Sequence, residues 1–133
     1  SKYEFKSKLG TFYAERVIGA WFTPTSENSF HHKDGLKELI KEQKLPINLD
    51  ESSLKRINHR TKRSVGYYGY GKLDSSSIEC ILAKGGYRLR QSTYDNDTGS
   101  SDTIITLYYC NYNVRDKDFD KMFRNLEITQ YED

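Results

Sequence analysis

The stretch that decides the fold runs from Val65 to Cys110. It reads Val65-Gly66-Tyr67-Tyr68-Gly69-Tyr70-Gly71-Lys72, then Ile78-Glu79-Cys80-Ile81-Leu82-Ala83, then Tyr87-Arg88-Leu89-Arg90, and finally Thr103-Ile104-Ile105-Thr106-Leu107-Tyr108-Tyr109-Cys110. Each run is short, rich in aromatic or β-branched residues, and bounded by Gly, Ser or Asp, which is the pattern of strands separated by turns. Four strands are predicted near 65–72, 77–83, 87–94 and 103–112. Lys84-Gly85-Gly86 reads as a hairpin turn between the second and third. In the third, strand alternation sends Tyr87 and Leu89 to one face and Arg88 and Arg90 to the other.

Working outward, Asp34 is placed to cap a helix over 35–43, whose Leu36, Leu39 and Ile40 form a buried stripe, and Leu45-Pro46 ends it. Asp50 is placed to cap a second helix reaching toward residue 63, with Leu54 and Ile57 inward. On that helix Arg56, Arg60 and Arg63 would share one face. Asp116 or Asp118 opens a last helix with Phe119, Met122, Phe123 and Leu126 on its apolar stripe, and Ile128 is expected to continue onto the sheet. Residues 3–22 read as extended chain with a turn near Gly10, and residues 24–29 as a loop. The sum is a single α+β domain over 1–133: an antiparallel meander of about four or more strands, packed against two to three helices.

Charge is unevenly distributed. The net value is only +2, yet residues 51–94 hold nine Lys/Arg against three Asp/Glu, and residues 95–133 hold four against nine. A basic and an acidic face steer different partners. Cys80 and Cys110 lie in apolar strands, where buried free thiols are expected, with a disulfide open as the alternative. No run reaches membrane-spanning length, and no apolar leader opens the sequence, so a cytoplasmic protein without membrane contact is the expectation, with a mature secreted form as the alternative of the same appearance.

The strongest functional signal is Lys55, Arg56, Arg60, Lys62 and Arg63 around His59, followed at once by Tyr67, Tyr68, Tyr70 and Lys72 among glycines. Cations beside flat rings suit phosphates and stackable bases. Equally, guanidinium and ammonium groups grip the carboxylates of an acidic protein. His59 is the candidate general base, because a neutral imidazole can take the proton of a ribose 2′-hydroxyl, with arginines stabilising the phosphate as charge builds. His31-His32 reads as a surface pair. The loop from Asp95 to Asp102 has carboxylates at calcium-loop spacing but lacks the distal Glu, and reads as a hairpin tip. Walker, dinucleotide and zinc signatures are all missing, and no cofactor or metal is expected.

From Gly85-Gly86-Tyr87-Arg88-Leu89-Arg90 through the polar tip to Thr103–Tyr109 and its charged exit, the chain resembles RelE-type toxins, small ribonucleases related to barnase-like and colicin-like nuclease domains. The resemblance covers about 34–126. It implies metal-independent RNA cleavage by basic residues of the sheet, at positions matched by Lys72, Arg88, Arg90 and Tyr94. The Ile78-Glu79-Cys80 strand lacks the family's Arg, and the opening 33 residues exceed its single first strand. The sequence therefore leaves two readings: an RNA-binding protein, with ribonuclease chemistry at His59, Arg88 and Arg90, or a protein-binding module such as an inhibitor, immunity protein or viral accessory protein.

Overall fold

The computed structural model describes residues 32–88, 101, 103–111, 114 and 118–127, together with the backbone of 2–7 and 10–16. Its elements are β1 (Lys2–Ser7), β2 (Gly10–Arg16), α1 (Gly35–Gln43), β3 (Ile47–Arg56), β4 (Arg63–Leu73), β5 (Glu79–Arg88), β6 (Thr103–Asn111) and α2 (Asp118–Arg124). The six strands form one sheet in the order β1-β2-β6-β5-β4-β3, antiparallel at every pairing. The α+β class read from the sequence is the class observed.

Among the described residues, each face of the sheet carries one helix over one apolar cluster. Under α1, Leu36 and Leu39 pack with Ile47, Leu49, Leu54, Cys80, Leu82 and Cys110. On the opposite face Phe123, Phe119, Met122 and Leu126 of the α2 region pack with Ile57, Tyr68, Ile81, Ala83, Tyr87, Ile105 and Leu107. Strand alternation sorts Cys80 and Leu82 to the first face and Ile81 and Ala83 to the second. Each fully buried Leu, Ile or Phe contributes about 1.5–3 kcal/mol, so the two clusters hold the helices in place.

Helix α1 falls where its stripe predicts. Lys44 closes it in the left-handed conformation (φ 51°), and its N–H reaches the Lys41 carbonyl. Asp34 stands at the N-cap position, but its side chain makes no cap bond. The stripe of the last helix is also as expected.

Three expectations are overturned. The second helix is absent, and residues 47–56 form β3 instead. Rather than capping a helix, the Asp50 carboxylate accepts the Ser52 N–H (3.1 Å) and hydroxyl (2.5 Å). Ser53 Oγ takes the Tyr70 N–H at 2.8 Å and donates to the Asp50 carbonyl at 2.6 Å. These side chains offer the backbone partners that compete with a helical turn. The result is a bulge between Asp50 and Lys55, across which Leu49 and Leu54 both reach the α1 cluster. Ile57 goes to the other face.

Lys84-Gly85-Gly86 is not a turn but the middle of a continuous β5. Gly85 is required there by packing, because a Cβ would lie 2.7 Å from Ile57 Cδ1 and 2.8 Å from the Val65 carbonyl oxygen. The cysteines are not free thiols: Cys80 and Cys110 stand opposite one another on β5 and β6 and are joined by a disulfide, buried beneath α1. The predicted features at 17–31, 89–100 and beyond 127 lie outside the described residues. Among the described residues no helix is long and apolar enough to cross a membrane.

Candidate functional site

The residues singled out by the sequence do not form one surface. The β4–β5 register runs unbroken from Arg63 opposite Arg88 to Lys72 opposite Glu79, so alternation assigns every side chain between them. Arg63, Tyr67, Lys84 and Arg88 share the face that carries α1. Arg56, paired with Tyr67 at the end of β3, joins them. Tyr68, Tyr70, Lys72 and Lys55 belong to the opposite face.

On the first face α1 packs against the ends of β3, β4 and β5 that carry Leu49, Leu82 and Cys80. The row Arg56–Tyr67–Lys84–Thr106 comes next across β3, β4, β5 and β6, followed by Val65–Gly86–Ile104 and then by Arg63–Arg88. Adjacent strands are about 4.8 Å apart, and four residues along a strand span about 13 Å. Four cations and one phenol ring therefore lie within a patch about the length of two nucleotides. Arg56 and Arg63 are exposed, and Tyr67, Lys84 and Arg88 half-exposed. On β2, Glu15 holds the position beside Ile104 in the middle row.

Lys84 is the member that sequence reasoning missed. Its signal was present, since Lys84 and Arg88 are four apart and so share a face of any continuous strand. Reading Lys84-Gly85-Gly86 as a turn broke that strand and hid the relation.

The remaining predicted residues have other work. Tyr68 is 2% exposed, stacks at a tilt on Phe123 (5.1 Å between ring centroids) and donates its hydroxyl to the Asp120 carboxylate. Burial first, and then that hydrogen bond, hold its phenol well above the usual tyrosine range. Tyr70 packs at the edge of the same cluster. Neither ring lies on the open part of the basic face. Lys72 lines an open cleft of about 490 Å³ at the β3–β4 edge, with Asn48, Asp50, Ser75 and Ser76. Arg90 and Tyr94 lie outside the described residues.

His59 sits in the connection between β3 and β4, whose residues hug the end of α2. Its Nδ1 accepts the backbone N–H groups of Thr61 (3.2 Å) and Lys62 (3.0 Å). Backbone N–H groups can only donate, so the ring proton is on Nε2, which donates to the Leu126 carbonyl at 2.9 Å. The ring meets Tyr87 edge-to-face at 5.9 Å. Arg60 donates its N–H to the Arg124 carbonyl (3.0 Å), and its guanidinium lies 3.9 Å from Glu127. Both imidazole nitrogens are thus used inside the protein. The helical alignment of Arg56, Arg60 and Arg63 does not exist either, because the three fall on a strand end, a turn and a strand start.

Among the described residues no group of His, Cys, Asp and Glu is arranged to hold a metal ion. Comparison with protein-family models, curated proteins and solved structures found no match.

Proposed function

We propose that this protein binds single-stranded RNA across the sheet face bearing Arg56, Arg63, Tyr67, Lys84 and Arg88. The observation that carries the reading is the unbroken β4–β5 register, which with the Arg56–Tyr67 pairing of β3 and β4 sets these cations and one aromatic ring in neighbouring rows on the part of the face next to α1. A sheet offering phosphate partners on either side of an exposed ring suits an extended strand whose bases can splay and stack.

The reading is one of binding; His59, the base that the sequence proposes for cleavage, spends both nitrogens on the backbone. The Cys80–Cys110 bridge favours an oxidising compartment over the expected cytoplasm, since disulfides are rare in reducing cytosol.

The test is fluorescence anisotropy with a short single-stranded RNA over a range of salt. Log affinity should fall with log salt with a slope of about −3, four phosphates at about −0.7 each. Single-stranded DNA distinguishes a sugar-dependent site from a general one. Binding to an acidic peptide with no binding to RNA would replace this reading with the protein-partner alternative.

A further inference from the structure

We infer that His59 is a proton-operated latch that folds the β3–β4 connection around a ring anchored to the end of α2. The inference concerns this turn and does not depend on what the basic face binds. Four hydrogen bonds fix the turn: Nε2–H to the Leu126 carbonyl and Arg60 N–H to the Arg124 carbonyl reach the end of α2, while Thr61 and Lys62 N–H to Nδ1 fold the turn around the ring. Two of the four need a bare Nδ1. A second ring proton has only Nδ1 to go to, and once there it turns the acceptor into a donor facing two donors. The turn must then leave the ring.

Charged and polar groups from three segments surround the imidazole. Arg60 and Lys62 flank it in the turn, Arg124 and Glu127 stand at the end of α2, and Tyr87 faces it from β5. Glu127 is directed to Arg60, and the Tyr87 hydroxyl is buried without a partner among the described residues. Only His59 among them is an imidazole, the side chain that takes up a proton in mildly acidic solution. What acid would release is the Thr61–Lys62 turn, next to Arg63 of the basic face. His59 is accordingly a positioning residue whose protonation alters how that edge is presented.

Amide hydrogen exchange of the whole protein, followed by NMR between about pH 8 and pH 5, tests this without any ligand. Protection factors, corrected for intrinsic exchange, should fall at least about tenfold for Thr61 and Lys62 as the solution is acidified, while amides of β4 and β5 stay protected. The ring ¹⁵N shifts should report the Nε2–H tautomer at the upper end. The His59→Asn variant keeps an acceptor in place of Nδ1 that does not titrate, so its Thr61 and Lys62 protection should be independent of pH. Unchanged protection in the native protein, loss shared by the entire sheet, or the same pH response in His59→Asn would each overturn the latch.

Discussion

The hydroxyl of Tyr68 donates to the carboxylate of Asp120, fastening β4 to α2 through a phenol that is itself part of the core. The fold holds this phenol protonated, and burial does the same to Tyr87. Both phenols are raised in the folded state above their unfolded value near 10. Their contribution to stability is therefore fully present below about pH 10 and is lost as pH rises beyond it. Each phenol can steepen the decline by up to about 1.4 kcal/mol per pH unit. Urea unfolding at a series of alkaline pH values should show this slope, and Tyr68→Phe with Tyr87→Phe should flatten it. An identical slope in the double variant would mean that other groups control alkaline unfolding.

The disulfide joins positions 30 residues apart. In the chain-entropy description, closing a loop of that length stabilises the folded state by about 3.5 kcal/mol. Replacing Cys80 and Cys110 with Ala should lower the urea midpoint accordingly, and reduction of the native protein should do the same. Thiol titration of the unfolded, unreduced protein should find no pairable thiol at these positions.

Two glycines of β4 should respond differently to the same change. A methyl group at Gly71 would run into the Asn48 backbone carbonyl, which cannot move without opening the β3–β4 ladder. At Gly69 the nearest atom is Leu54 Cδ2 at 2.9 Å, the end of a mobile side chain. Gly71→Ala should cost about 1–3 kcal/mol, the usual range for overpacking, and Gly69→Ala clearly less. Thermal unfolding of the two variants side by side measures the difference.

Local pattern made α1, β4, β6 and the stripe of α2 legible, because in each the apolar period matches the burial that tertiary packing imposes. Residues 50–56 misled because Leu54 and Ile57 have helical spacing, while Asp50, Ser52 and Ser53 turn their side chains on the backbone and make a bulge. Gly85-Gly86 misled for a converse reason: glycine signals a turn locally, but here it admits Ile57 from a neighbouring segment. Those two errors scattered the candidate site. With a helix at 50–63 and a turn at 84–86, Arg56 and Lys84 have no common surface. With two paired strands they share a row with Tyr67. The role of His59 needed the Leu126 carbonyl, 67 positions away, which no local pattern contains.

The most direct test of the basic face compares two charge reversals of equal size on opposite sides of the sheet. RNA anisotropy at fixed low salt would be measured for the native protein, for Arg56→Glu with Lys84→Glu, and for Lys55→Glu with Lys72→Glu. The proposed face predicts a loss of at least about thirtyfold for the first pair and a change within about threefold for the second. Equal losses, or a larger loss for the Lys55 and Lys72 pair, would contradict it.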